Sequence, residues 1–327
     1  MSYTDTEVLS EQQIADLHAT SFSDTFPSSK QKTSVSVAKT TFDAEDADTA
    51  AFTFVGVLAA DVSSGEFDLP SWPEVVVQIR RALEDEDCCV DQVVRLIGSE
   101  PVLAARIIKM ANSALVSRAA PVSDLRGAVN RLGFEMVRNV AISLAMEQIF
   151  HGEAIKAARP YLAELWLHST KVAALAFILA KQAPQINADE AFLAGLVHDI
   201  GKLYVLMRAQ NDAVLFDCED ALHDIMDAWH TSIGRAIVES WNLSEDLADA
   251  VGDHELHELE GGGPPTLTDI VCVANLLANQ KQDDIDNPVD LNEIAACRRL
   301  GLNADLCVDI ILESEEEIQH LRQSLGV

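Results

Sequence analysis

The sequence predicts an all-α protein, and three observations carry that expectation. From Asp68 onward apolar residues recur at three- and four-residue spacing, the period of one buried helix face. Alternating strand patterns are nearly absent over the same stretch. Hydrophobic residues make up 48 % of 327, enough for a substantial core.

The elements follow in order. Residues 1–67 carry 11 acidic residues against 3 Lys and are rich in Ser, Thr and Ala, so most of this stretch is expected to be a weakly ordered, solvated extension. Within it, residues 7–17 are a short helix candidate, and the FTFVGVLAA segment in residues 50–60 is a strand or a docking segment. At LPSWPE, Ser71 is expected to cap a helix that starts at Trp72 or Pro73, with Glu74 closing a capping box and Val75, Val76, Ile79 and Leu83 inward. A second helix starts near Val90, and a third near Pro101 runs to Ala111-Asn112-Ser113. A fourth, capped by Ser123, stops at Gly133, and a fifth covers residues 135–150. A second helical block starts near Ala157 and includes one helix across AFLAGLVHDIGKLYVL (191–206). Gly261-Gly262-Gly263-Pro264-Pro265 breaks the chain. An apolar helix over 267–279, an acidic loop over 280–288 and two helices, from about Leu291 and Asp305, complete it.

Composition narrows the function. With 53 acidic residues against 23 basic ones the formal net charge is −30, which repels phosphate backbones and anionic membranes in the absence of a basic patch, and Arg80-Arg81 and Arg298-Arg299 do not make one. Neither nucleic acid nor membrane is therefore expected as a partner. The six cysteines show no CxxC spacing and are expected to be buried free thiols. The first residues lack a basic start followed by an apolar core, so a secretory signal is not expected and the protein reads as cytoplasmic.

The chemistry-bearing residues sit inside the second block. His168 falls on the buried stripe of its helix with Leu165, Val172 and Leu175. His198-Asp199 lies within an otherwise apolar run, beside a face of small residues, Ala191, Ala194, Gly195 and Gly201, that lets a neighbouring helix, an ion or a ligand come close. His230 lies at the edge of another stripe, and His254 follows Val251. Singly, each is a satisfied core histidine. Together with Asp199 they make a donor set suited to a divalent transition metal at the junction of several helices. His18, His151, His223, His257 and His320 lie in polar or terminal contexts and are expected at the surface.

Several segments in order resemble the HDOD (HD-related output) domain, a helical module of bacterial signalling proteins related to the HD-type metal-dependent phosphohydrolases. They are LPSWPEV, SEPVLAARIIKMANSAL, PVSDLRGAVNRLG, LWLHS, AFLAGLVHDIGKL and HTSIGRAIVESWNL. The resemblance implies an HDOD domain over 68–278, divided into a family-specific helical half (68–150) and an HD-like half (157–278), with C-terminal helices of 279–327 packing on it. It implies His168, His198, Asp199, His230 and His254 as candidate metal ligands for Fe, Mn, Zn, Ni or Mg, in a site that is degenerate. It further implies Lys202 as the catalytic-type lysine if the site is active. Two departures weaken catalysis. The last Asp of HD enzymes falls on or near Asn275, and Asp253 precedes His254 where related phosphodiesterases have a second His. The continuation into a GYP signature is missing too.

The resemblance therefore implies a signal-transduction protein with a non-catalytic domain that works through other signalling proteins or a nucleotide ligand. The alternative is an HD-type phosphohydrolase acting on a cyclic dinucleotide or other phosphoester. A remote alternative is DNA binding by a helix-turn-helix formed from residues 101–111 and 123–132, served by Arg118, Arg126 and Arg131. The acidic extension and the acidic run 313–317 are read as solvated surface.

Overall fold

The computed structural model describes residues 44–85, 87–113, 116, 120–151, 158–210, 212–256, 263–279 and 294–303, with a few further positions up to 323. The segments 7–17, 280–288 and 313–317, together with His18, His257, His320 and Arg118, lie outside the described residues. No strand occurs among the described residues. The fold class is all-α, as expected, and every described residue belongs to the unit formed by Phe42–Asn279 and Asp290–Val327.

The first helix, α1 (Ala44–Ser64), decides between the two readings of FTFVGVLAA: it is not a strand but a helical segment docked on the bundle. It buries Phe54 and Leu58, and near its C-terminal end Asp61 accepts hydrogen bonds from Tyr204 Oη (2.8 Å) and Arg208 Nε (3.0 Å). Thus residues 44–64 are anchored to the bundle.

The family-specific half is built from α2 (Glu74–Leu83), α3 (Val90–Gly98), α4 (Pro101–Ala111) and α5 (Leu125–Phe150). Val75, Val76 and Ile79 of α2 are buried as the periodicity requires, but its N-cap is Pro73 without a side-chain bond, so Ser71 does not close a capping box. At α5 the cap is Asp124, one residue beyond Ser123, and its carboxylate accepts from the Gly127 N–H. Gly133 interrupts α5 with φ 76 and ψ 169, a conformation open to glycine but costly for a residue with a Cβ, so the predicted stop is real and the chain restarts as helix at once. Asn112 pairs both ways with Val122, its Nδ2 donating to the carbonyl and its Oδ1 accepting from the N–H, each at 2.8 Å. Arg131 donates to the Ala111 carbonyl (3.1 Å) and the Ala120 carbonyl (2.6 Å), and Arg126 pairs with Asp91. Two of the three guanidinium groups considered for DNA are thus engaged inside the chain.

The residues expected to form the HD-like half carry α6 (Arg159–Gln182), α7 (Ala188–Val197), α8 (Ile200–Ala209), the short α9 (Ala213–Asp217), α10 (Glu219–Ser240), α11 (Glu245–Asp253) and α12 (Leu267–Asn279), and α13 (Ala295–Leu300) follows them. By length and composition α6 could cross a membrane, yet 72 % of its most apolar window is buried in the bundle, which identifies a core helix. It packs on α7 and α12, while α10 packs on α8 and α11. Asn242, at φ 55, ends α10 in the left-handed turn that Asn tolerates. The two halves meet where Trp72 stacks edge-on against Trp241, with ring centroids 5.0 Å apart. Cys88 and Cys218 are half-buried and Cys89 is exposed, so only Cys272, Cys297 and Cys307 meet the expectation of buried thiols.

Candidate metal centre

The expected helix across 191–206 is two helices, α7 and α8, and His198-Asp199 is the junction between them. The break has a consequence for side-chain direction. Successive residues of a continuous helix point about 100° apart, so adjacent His and Asp side chains would enter different surroundings. At the junction His198 still has helical angles (φ −54, ψ −35), whereas Asp199 leaves them (φ −101, ψ 18). Both side chains then reach the same interior space.

Glycines let the flanking helices close around it. A Cβ at Gly195 would lie 2.8 Å from the Ala173 Cα on α6, and one at Gly201 would lie 1.9 Å from the His230 carbonyl oxygen on α10. The small-residue face read from the sequence therefore serves helix approach. That approach brings His168 from α6 and His230 from α10 up to the junction, and the last turn of α11 delivers His254.

The five candidate ligands converge. His198, His230 and His254 are fully buried, Asp199 is 2 % exposed and His168 is 8 % exposed. His230, expected at the edge of its stripe, is thus wholly interior. Asp199 stands at the middle. Its Oδ2 lies 3.3 Å from His198 Nε2 and 3.8 Å from His168 Nε2, and its Oδ1 lies 3.6 Å from His230 Nε2 and 3.7 Å from His254 Nε2. Two ligand groups result, His168-His198-Asp199 and Asp199-His230-His254, each with its donor atoms within 4.8 Å of one another.

Backbone carbonyls orient three of the rings. Nδ1 of His198 lies 2.9 Å from the Gly195 carbonyl, Nδ1 of His230 lies 2.8 Å from that of Met226, and Nδ1 of His254 lies 2.8 Å from that of Val251. A carbonyl only accepts, so each Nδ1 carries a proton and donates it, which turns Nε2 toward Asp199. His168 Nε2 lies 3.0 Å from Asn275 Oδ1 and 3.2 Å from His198 Nε2. Asn275 therefore stands at the site, where the sequence suggested the last Asp of HD enzymes would fall.

Lys202 reaches into the site. Its Nζ donates to Asp199 Oδ2 at 3.0 Å. Burial disfavours the Asp199 carboxylate, but His198 and Lys202 outweigh it and hold the group well below the usual carboxylate range. Burial likewise works against the Lys202 ammonium, and Asp199 more than restores it. Burial, with His198 beside it, depresses His168 to about 3, so this ring is neutral near pH 7. His254 is lowered mainly by burial.

One member of the site escaped the sequence. Glu255 Oε1 lies 3.3 Å from His230 Nε2, and that contact holds the carboxyl down at about 2. Despite the pull of burial, Glu255 and Asp199 raise His230. In Asp253-His254-Glu255 the available signal was the position of Glu255 just past the end of α11, where the chain leaves the helical path and a side chain can turn back.

The HDOD domain family model matches residues 69–256, more than half of the chain. The chain belongs to the HDOD domain family. A solved structure from Shewanella amazonensis SB2B, described provisionally as a metal-dependent phosphohydrolase, is 27 % identical with a TM-score of 0.71, and the match covers 85 % of this chain and 99 % of that one. An HDOD domain protein of unknown function from Geobacter sulfurreducens shares the fold at 24 % identity and a TM-score of 0.54, with 86 % and 98 % covered. A curated but uncharacterised protein of Treponema pallidum (strain Nichols) is 26 % identical over 208 residues, which are 60 % of this HDOD chain and 39 % of that relative. The chain thus spans well under half the length of that relative.

Proposed function

We propose that this HDOD protein is a bacterial signal-transduction component, cytoplasmic, whose HD-like centre regulates a partner protein or senses a nucleotide ligand without hydrolysing it. One observation supports this above the others: the His168 side of the site has too little negative charge for a catalytic metal pair. On the His168 side the position facing the ring is the neutral Asn275, at 3.0 Å, and the shared carboxylate Asp199 is tied to the Lys202 ammonium. A pair of divalent cations needs anionic oxygens to offset its charge and a carboxylate to orient the attacking water, and an amide carbonyl is a weak substitute.

The donor set nonetheless fits a divalent cation, because buried ligand atoms of Asp199, His230 and His254 have no hydrogen-bond partner. His168, His198, Asp199, His230 and His254 are the residues to hold it. A bound metal supplies Lewis acidity and a more acidic water. The chain's own residues supply a buried setting, rings fixed by backbone carbonyls, and the Lys202 ammonium on Asp199.

Hydrolysis is the second reading, favoured by the convergence of these ligands and by the description given to the Shewanella protein. In it Lys202 stabilises phosphate charge. Purified full-length protein loaded with Mn²⁺, Fe²⁺ or Zn²⁺ and offered cyclic di-GMP, (p)ppGpp and generic phosphoesters decides between them. No turnover above buffer is expected. Metal-dependent turnover that disappears in Asp199→Ala overturns the regulatory reading.

A further inference from the structure

The two sides of Asp199 differ in whether their polar atoms are satisfied. On the His168-His198 side every ligand atom has a protein partner. The oxygen Asn275 Oδ1 accepts, so His168 Nε2 carries a proton between that oxygen (3.0 Å) and the His198 Nε2 lone pair (3.2 Å), while Lys202 Nζ donates to Asp199 Oδ2 (3.0 Å). On the other side, Asp199 Oδ1, His230 Nε2 and His254 Nε2 are buried and have no hydrogen-bond partner. Other buried orphans among the described residues, such as Trp166 Nε1 and Asn139 Oδ1, occur one to a residue; these three are aimed at one another.

The protons make this side electron-rich. His230 and His254 donate from Nδ1 to the Met226 and Val251 carbonyls, so in the neutral rings that a cation binds their Nε2 atoms and Asp199 Oδ1 are three acceptors, and a proton on His230 Nε2 beside Glu255 is what the cation replaces. Buried acceptors left without a donor cost free energy, and a cation removes that cost. Glu255 adds a second carboxylate, 3.3 Å from His230 Nε2, with its side chain 43 % exposed and thus partly open to solvent. The spacing suits a small ion. Ligands about 2.1 Å from a tetrahedral Zn²⁺ lie roughly 3.4 Å apart, and the edges from Asp199 Oδ1 to His230 Nε2 and His254 Nε2 are 3.6 and 3.7 Å. The His168 side has similar edges, 3.3 and 3.8 Å, so spacing does not separate the two; the unpaired atoms on one side and the Lys202 ammonium on the other do. There a cation would have to displace a shared proton and sit beside an ammonium.

We infer that this chain takes one divalent cation rather than a pair, held by His230, His254 and Asp199 Oδ1 with Glu255 beside His230, and that Lys202 and Asn275 close the His168-His198 half to metal. The inference deepens the regulatory reading and rests on the same ligand cluster, but metal count and turnover are separate measurements. A turnover result leaves the count standing, and a count of two leaves absence of turnover standing.

The test is metal stoichiometry on full-length protein, stripped with chelator and reloaded with Co²⁺ or Zn²⁺, read by elemental analysis, by titration calorimetry and by the Co²⁺ absorption spectrum. One equivalent is expected for the native chain and for His168→Ala, and none for His254→Ala. Glu255→Gln, at a partly exposed position that folding tolerates, should weaken binding about tenfold. Lys202→Met combined with Asn275→Asp should admit a second equivalent. Circular dichroism identifies any variant that fails to fold, and Glu255→Gln then carries the test. Two equivalents in the native protein, loss of the ion in folded His168→Ala with retention in His254→Ala, unchanged affinity in folded Glu255→Gln, or no uptake at all overturns the inference.

Discussion

The two halves of the bundle bury polar groups in opposite ways. In α2–α5 the buried polar side chains are few and bond to backbone: Ser113 and Ser143 donate to carbonyls three residues back, and Asn139, with its Oδ1 unpaired, donates across to the Asp189 carbonyl. In α6–α12 the polar groups come from different helices and face one another, with His168, His198, Asp199, His230 and His254 around one carboxylate. Polar atoms satisfied locally serve packing. A cluster assembled from distant elements, with ligand atoms still unpaired, serves something that binds. The same contrast appears in the glycines: Gly133 is there for its backbone angle, since a Cβ added to it would meet nothing within 4 Å, whereas Gly201 is there for space.

That contrast can be broken by substitution. The largest effect is expected at Gly201→Ala, whose methyl would collide with the His230 backbone, so a loss above about 3 kcal/mol or failure to fold is expected in urea denaturation. Gly133→Ala should cost about 1–3 kcal/mol through strain alone, with the HD-like half intact. A Gly201→Ala protein as stable as native would mean that the junction is looser than its packing indicates. Next, Arg131→Ala removes charge-assisted bonds to the Ala111 and Ala120 carbonyls and should cost about 2 kcal/mol in the same measurement. Arg126→Ala, at the exposed pair with Asp91, should change stability by less than about 0.5 kcal/mol.

The smallest effect is a pH tilt confined to the HD-like half. His168 is depressed from 6.5 to about 3 and His254 is also lowered, so the unfolded chain binds their protons first as pH falls. Their contribution is full above pH 6.5 and drains toward pH 3. Glu255, held at about 2 against an ordinary 4.5, adds a loss in the same direction at the acid end. His230 is raised and opposes them, since its contribution is present below 6.5 and lost as pH rises through its folded value. The net expectation for metal-free protein is a melting temperature that falls from pH 6.5 to 4, with a shallower fall in His168→Gln. A flat profile, or the same slope in that variant, breaks the assignment of acid sensitivity to this half.

Much of this was legible in the chain and some was not. Periodicity alone determined the helical class and the inward positions of α2–α5, because a helix shows its buried face every three or four residues. It also singled out His168, His198, Asp199, His230 and His254, since imidazole and carboxylate within apolar stripes have few benign explanations. Caps were less legible: Ser71 and Ser123 are good N-cap residues, but Pro73 and Asp124 hold those positions because the neighbouring backbone selects among adjacent candidates. Only the tertiary structure decided that α7 and α8 part at His198-Asp199, that Glu255 turns back to His230, and that Lys202 takes up one oxygen of Asp199 and leaves the other unpaired. Local pattern records which side of a helix is buried. Which buried atoms meet, and which are left without partners, depends on how separate helices pack, and no single helix carries that information.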